Sequence, residues 1–328
     1  MDLKNKRVLV IGLAKSGTAS ALFLKGRGAI VTVSDAKPPE EFGDEIPLLL
    51  GRGITVETGG HLEQTVHNQD LIVVSPGVPL DALPLVLARA LGATVIGEIE
   101  LASRFISGSI VAITGSNGKT TTTTLVGDIL KAAGFPVLVG GNIGTPAISL
   151  ADQADSNSLV VLEVSSFQLE TIQTFRPKVA VILNITPDHL DRHRTLAAYA
   201  DAKARIFENQ GQEDFTVLNA DDPICVQLAD RTHGRIVWFS RKIKLKSGAY
   251  LEDGRIVFRD SSGMREIMPV SEIPLKGAHN LENVLASICA GVLLGGGFDK
   301  ICEAVGNFRA VEHRLEFVAT IRGVSYYN

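Results

Sequence analysis

Short runs of aliphatic and β-branched residues alternate along the chain with stretches whose apolar positions recur every three or four residues. The runs Arg7–Ile11, Ile30–Ser34, Leu71–Ser75 and Thr94–Gly97 predict strands, and a helix opens at Ser16. A small polar joint at Ile106-Ser107-Gly108-Ser109 is followed by a second series: Ile110–Thr114, Val137–Gly140, Leu159–Val164, Val179–Ile185, Phe215–Asn219 and Arg235–Phe239. These runs are almost unbroken, as strands covered on both faces require. The rhythm predicts an α/β protein built on parallel sheets wrapped by helices.

Beyond Ser240 the pattern changes. Ala249–Glu252 and Arg255–Phe258 flank Asp253-Gly254, a two-residue hairpin turn, and predict a small antiparallel appendage. Helical periodicity returns over Ala278–Leu294, stops at Gly295-Gly296-Gly297 and resumes over Asp299–Val305. Leu315–Thr320 and Val324–Tyr327 read as two strands about Arg322-Gly323. A lone hairpin is marginal in water, so the chain is expected to be cut at a domain junction. The expected domains are a Rossmann-like unit over 1–106, a P-loop α/β unit over 107–310 and the stub of a third over 311–328.

The length, 328 residues, suits roughly two domains of about 150 residues. With 45% hydrophobic residues the chain lies outside the disordered class. A net charge of -4 gives no global positive field for nucleic acid or an anionic membrane. Three cysteines without C-x-x-C spacing indicate neither a disulfide framework nor a zinc ribbon, and fit a reducing cytoplasm. No signal core or membrane span of about 18 apolar residues is evident.

Two glycine loops carry candidate chemistry. Gly12-Leu13-Ala14-Lys15-Ser16-Gly17 follows a strand and opens a helix, so its amides could hold a phosphate, with Asp35 accepting from a sugar or base. An NAD-dependent oxidoreductase is one alternative, weakened because Ala14 stands where the backbone must approach a pyrophosphate; a ligand-free tight turn is another. Thr114-Gly115-Ser116-Asn117-Gly118-Lys119-Thr120 lies between strand and helix. Its amides suit phosphate oxygens, Lys119 the β- and γ-phosphates of ATP, and the Thr120 hydroxyl a Mg²⁺. Ile113 occupies the first glycine position of the general P-loop spacing.

Magnesium needs oxygen ligands from nearby strand ends. Glu163 closes an apolar strand, and Asp188, His189 and Asp191 follow another in the same way. His189-Leu190-Asp191-Arg192-His193 is not a zinc-protease motif, since Leu190 sits where the glutamate is required. His189 could equally make a structural hydrogen bond. In the predicted helix Thr195–Asn209, Lys203 lies on the apolar stripe of Leu196, Tyr199, Ala200, Ile206 and Phe207. It could snorkel to solvent, or be a desolvated amine of depressed pKa able to take up carbon dioxide as a carbamate.

Together these motifs resemble the Mur ligase family. The resemblance runs through Ser75-Pro76-Gly77-Val78, Gly97-Glu98-Ile99-Glu100-Leu101, Gly141-Asn142-Ile143-Gly144, Glu163-Val164-Ser165-Ser166-Phe167-Gln168-Leu169, Asn184 to Arg192, Ala202-Lys203-Ala204-Arg205-Ile206 and His279-Asn280-x-x-Asn283. The loop spacing at Gly115 is that family's form, shared with folylpolyglutamate synthases. The resemblance implies an ATP-dependent carbon-nitrogen ligase of peptidoglycan precursor synthesis, in the cytoplasm and monomeric. It would add D-glutamate to UDP-N-acetylmuramoyl-L-alanine through an acyl phosphate, using two Mg²⁺.

Carried over residue by residue, Leu13, Ala14, Lys15, Ser16, Asp35, Ala36, Lys37, Ser75, Pro76, Gly77, Asn142 and His189 would bind the uridine substrate. Gly115, Ser116, Asn117, Gly118, Lys119, Thr120 and Thr121 would cradle ATP, with Asn280 and Asn283 toward the adenine and Arg314 near the polyphosphate. Thr120, Glu163, His189 and a carbamylated Lys203 would serve the metal; Lys119, Glu163, His189 and Lys203 would be catalytic. Histidine is an unusual magnesium ligand and rests on resemblance alone. In the family a further C-terminal domain closes over the acyl phosphate, so the 328 residues are expected to bind nucleotides with little or no ligase activity. A nonenzymatic nucleotide-binding module is the remaining alternative.

Overall fold

The computed structural model describes residues 1–309, 317–321 and 324–327. The chain divides into two compact units that are not continuous in sequence. Met1–Ser107 forms the first together with Gly140–Asp155 and Ser165–Phe175; Gly108–Val139, Ser156–Val164 and the chain from Arg176 form the second.

The first unit is built on strands β1 (Arg7–Ile11), β2 (Ile30–Ser34), β3 (Thr55–Glu57), β4 (Leu71–Val74) and β5 (Val95–Gly97). They form an all-parallel sheet in the order β3-β2-β1-β4-β5. Leu9, Ile11, Ile72, Val74 and Leu85 are buried in its core. The inserted segments are fastened from the Glu98–Ser103 helix. Glu100, wholly buried, accepts the backbone N–H groups of Gln173, Thr174 and Phe175 at 2.8–3.1 Å and pairs with Arg104. Turning three loop amides toward one carboxylate satisfies donors that would otherwise be buried unpaired.

In the second unit, β6 (Ser109–Thr114), β7 (Val137–Gly141), β8 (Leu159–Glu163), β9 (Val179–Ile182), β10 (Phe215–Asn219), β11 (Arg235–Ser240), β12 (Gly248–Glu252), β13 (Arg255–Asp260) and β14 (Gly263–Pro269) share one mixed sheet. Its order is β14-β13-β12-β11-β10-β9-β6-β8-β7; the run from β12 through β11, β10, β9 and β6 to β8 is parallel, and the β12-β13 and β13-β14 pairs are antiparallel. The expected hairpin forms about Asp253-Gly254, both at positive φ. It extends the sheet edge through β11 and gains a third strand instead of standing apart. Strand β9 is shorter than its apolar run because the chain leaves the sheet at Leu183.

The Lys119–Ala132 helix buries Leu125, Val126, Ile129 and Leu130, each of which stabilises the unit by about 1.5–3 kcal/mol. It packs against the Ala278–Leu293 helix, where Gly291 matters: a Cβ there would meet Ile129 at 2.7 Å. The last strands, β15 (Phe317–Ile321) and β16 (Val324–Tyr327), pair antiparallel. No helix among the described residues is long and apolar enough to cross a membrane.

Candidate functional site: two nucleotide loops

Strand β6 lies between β8 and β9, with all but Ser109 buried, so its carboxyl end delivers the Gly115–Gly118 loop to the middle of the sheet. Gly118 sits at φ +86°, and an added Cβ would lie 2.1 Å from Asn283 Oδ1; only glycine can reverse the chain there and open the helix at Lys119. The loop is pinned from the chain after β9. Ser116 N–H donates to Asn184 O (2.9 Å), Asn117 N–H to Asn184 Oδ1 (2.9 Å), and Ser116 Oγ to Thr186 O (2.9 Å). Lys119 Nζ donates to the carbonyls of Gly115 and Ser116, both at 2.9 Å.

Thr120 Oγ1 donates to Glu163 Oε2 at 2.8 Å. Both are buried, and Glu163 ends β8 opposite Ile113 of β6. This joins the hydroxyl and carboxylate expected to serve a metal. Lys203 is 1% exposed, and its ammonium donates to Gly115 O (2.9 Å) and Thr114 Oγ1 (3.3 Å). The snorkelling alternative fails because the head group points inward. Desolvation first, and the Lys119 charge second, lower its pKa to about 7, against the opposing pull of Asp188 and Glu163.

Tyr199, one turn before Lys203 and equally buried, places its ring 4.5 Å from Lys203 Nζ. Sequence periodicity identifies Tyr199 only as a stripe residue. Asn184 and Thr186 fall within the Asn184 to Arg192 stretch that carries the family resemblance, but their role as anchors has no local signal, because the loop they hold lies far along the chain.

His189 is half-exposed and in the left-handed region at φ +50°. Its N–H donates to Asp188 Oδ1, and its Nε2 lies 3.5 Å from Asp188 Oδ2. Its ring meets the Tyr199 ring edge-on at 6.3 Å. Among the described residues no group of three His, Cys, Asp or Glu side chains converges as a ready metal cage. Magnesium bound with a nucleotide needs only one or two protein carboxylates plus phosphate oxygens and water, which the Thr120-Glu163 pair fits. Asn283 lies against Gly118, and Asn280 Nδ2 donates to Lys276 O at 2.8 Å. Thr121 is buried in the first turn of the helix. Arg314 lies outside the described residues.

In the first unit the Gly12 loop follows β1. Gly12 is at φ +98°, and a Cβ on Gly17 would fall 1.9 Å from Gly12 O. Leu13 N–H donates to Asp35 Oδ2 (2.6 Å) and Lys37 N–H to Asp35 Oδ1 (2.9 Å), so Asp35 organises the loop from the end of β2. Ser75 Oγ donates to Gly12 O at 2.9 Å, and Val78 N–H closes the Pro76-Gly77 turn on Ser75 O. Ala14 and Ser16 begin the Lys15–Gly26 helix with no side-chain cap at Ala14. Ala36 lies in the exposed bend after Asp35, and Lys37 pairs with Glu41 at 2.7 Å. Lys15 Nζ donates to Gly144 O, which brings the Asn142 loop beside the glycine loop within this unit.

A phosphate loop, a hydroxyl-carboxylate pair at its helix start and a buried lysine beneath it define a nucleoside-triphosphate-binding protein of the P-loop class. Residues 113–291 match the Mur ligase middle domain and residues 6–97 the Mur ligase MurD-like N-terminal domain. The chain belongs to the Mur ligase family, which displaces the oxidoreductase alternative. It is 60% identical to the UDP-N-acetylmuramoylalanine--D-glutamate ligase of Koribacter versatilis, covering 100% of this chain and 72% of that protein. The enzyme of the same description from Acidobacterium capsulatum is 57% identical over the same shares. Among solved structures, the UDP-N-acetylmuramate:L-alanyl-gamma-D-glutamyl-meso-diaminopimelate ligase from Neisseria meningitides superposes with a TM-score of 0.64 at 22% identity, covering 94% of this chain and 100% of that one. Escherichia coli FolC, in complex with DHPP and ADP, shares the fold at a TM-score of 0.51 and 18% identity, over 75% of this chain and 69% of that one.

Proposed function

We propose that the protein catalyses ATP-dependent addition of D-glutamate to UDP-N-acetylmuramoyl-L-alanine. Alignment of the whole chain at 60% identity to a ligase of that description carries the reading, and the Thr120-Glu163 pair beside Lys119 supports it. The γ-phosphoryl group of ATP passes to the free substrate carboxylate, giving an acyl phosphate and ADP. The amine of D-glutamate then adds to the acyl carbon, phosphate leaves, and a proton is released as the amide forms.

In this reading the residues over 1–106 hold the uridine nucleotide, the Gly12 loop meeting its phosphates, and those over 107–310 hold ATP. Residues 311–328 are assigned to the start of a third domain. Lys119 neutralises phosphate charge, which lowers the barrier to phosphoryl transfer. Thr120 and Glu163, with His189, are the residues that would hold magnesium. The ion would supply charge stabilisation for the phosphoryl group and the later oxyanion. A neutral Lys203 amine adds to carbon dioxide and sheds one proton, becoming a carbamate anion beside the loop. Asn142 meets the reacting end of the substrate. The protein is read as cytoplasmic and monomeric.

Thermal unfolding tests the binding half of this reading. A ligand raises the melting temperature only if the native state binds it. UDP-N-acetylmuramoyl-L-alanine and ATP-magnesium should each raise it, and NAD should not. In the protein as the cell makes it, phosphate release should require ATP and both substrates together. Release without D-glutamate, or stabilisation by NAD alone, would refute the assignment.

A further inference from the structure

Glu98 opens the Glu98–Ser103 helix and is 1% exposed, yet among the described residues it makes no ion pair. Its Oε1 accepts the backbone N–H of Ile148 at 2.8 Å, while Oε2 has no hydrogen-bond partner. Burial drives its pKa up to about 7, against the smaller opposing effects of the Ile148 and Ala147 amides and the Gln168 carboxamide. A buried carboxylate held by so few donors is a destabilising choice where methionine would fill the same space. Stability alone does not explain its presence.

What it holds is the exit of one loop. Ala147 and Ile148 begin the short turn Ala147–Leu150, whose preceding Pro146 gives no side-chain cap. The loop before it, Gly141 to Thr145, closes on itself through Gly141 N–H to Thr145 O (2.8 Å) and is touched by Lys15 at Gly144 O. Asn142 is the second residue of this loop. Glu98 holds the end where the chain returns to the core through the Ile148 N–H, together with the burial of Ala147 and Ile148.

We propose that Glu98 is a positioning residue for the ligase reaction: by gripping the amides at the exit of the Gly141–Thr145 loop, it sets where Asn142 presents its amide to the substrate. The role rests on the reading under Proposed function. Glu98 touches neither loop's proposed ligand directly, so nucleotide affinity should not depend on it. Displacing a reacting group by about 1 Å costs on the order of a hundredfold in rate.

Glu98→Met keeps the volume and removes the acceptors; Glu98→Gln keeps one carbonyl acceptor. In the full protein, Glu98→Met should fold, melt at or above the parent at pH 8, and keep its dissociation constant for UDP-N-acetylmuramoyl-L-alanine within about twofold, while kcat falls by about tenfold or more. Glu98→Gln should restore most of that loss. Hydrogen exchange at Ala147 and Ile148 should quicken in the methionine variant and not in the glutamine one. Asn142→Ala should cost far less in the Glu98→Met background than in the parent, since the two act through one loop. Unchanged kcat, unchanged exchange, or losses that simply multiply would overturn the proposal. If the parent itself makes no amide, the ligase reading fails, while the exchange data still judge whether Glu98 holds the loop.

Discussion

Lys119 and Lys203 donate to the same oxygen, the Gly115 carbonyl, each at 2.9 Å. Two ammonium groups converging on one acceptor repel each other, and Lys203 yields because it is the more deeply buried. Its charged form is disfavoured first by desolvation and then by Lys119, which brings its pKa to about 7. A lysine pKa lowered on folding means that the unfolded chain holds the extra proton between about 7 and the ordinary value of 10.5. The stability penalty of charging Lys203 is therefore full below pH 7 and fades as the pH rises toward 10.5.

Replacing Lys119 with methionine should accordingly raise the Lys203 pKa. With ¹³C-bicarbonate, NMR should show the Lys203 carbamate signal in the parent at neutral to alkaline pH, and its onset displaced to higher pH in Lys119→Met. An onset that does not move would show that Lys119 exerts no field on this amine; no signal at any pH would remove the carbamate.

The Thr120-Glu163 hydrogen bond makes a separate prediction. Thr120→Val and Glu163→Gln should each weaken ATP-magnesium binding by about tenfold or more, equivalent to about 1.4 kcal/mol. Binding of the uridine substrate should be unaffected, because that ligand is assigned to the loop of the first unit and Thr120 and Glu163 belong to the second. Calorimetric titration with each ligand separates the two cases. Equal losses for both ligands would mean that the substitutions had damaged folding instead.

How much of this is legible in the sequence follows from the range of each interaction. The phosphate loop, the hairpin at Asp253-Gly254 and the apolar stripe bearing Lys203 are local patterns of spacing and turn chemistry, so they can be read off the chain. The inward direction of Lys203 cannot, because it depends on the Gly115 carbonyl 88 positions away. Nor can Asn184 and Thr186 be recognised as the loop's anchors. The discontinuity of the first unit is hidden for the same reason: Glu98 and Glu100 capture segments 50 and 75 residues downstream, and no periodicity records such partners. Strand β3 has three residues, too few to show an alternation. Asp35 stands out by its place after β2, but its carboxylate holds the amides of Leu13 and Lys37, a structural duty that residue type alone does not reveal.

Gly118→Ala should be damaging for two separable reasons. The φ of +86° costs an L-residue about 1–2 kcal/mol, and the new Cβ would meet Asn283 Oδ1 at 2.1 Å. Adding Asn283→Ala removes the second cost and leaves the first. Urea unfolding should therefore find Gly118→Ala less stable than the parent, with the double variant recovering part of the difference. Strict additivity of the two substitutions would show that the clash is relieved by other means.

Glu98 yields a pH-dependent stability with the opposite slope to that of Lys203. An acid whose pKa rises on folding, here from 4.5 to about 7, leaves the folded state holding the extra proton in that interval. The favourable contribution of the neutral form is complete below pH 4.5 and is lost as the pH climbs through 7. The loss approaches about 3 kcal/mol on the alkaline side, because a tenfold change in proton affinity is worth about 1.4 kcal/mol. Glu98→Gln cannot charge, so it should match the parent near pH 4.5 and exceed it by a margin that opens between about pH 5 and 8. Urea midpoints at the two ends of that range measure the margin directly. A constant difference across it would mean that Glu98 keeps its charge in the folded protein, and that some further donor reaches its Oε2.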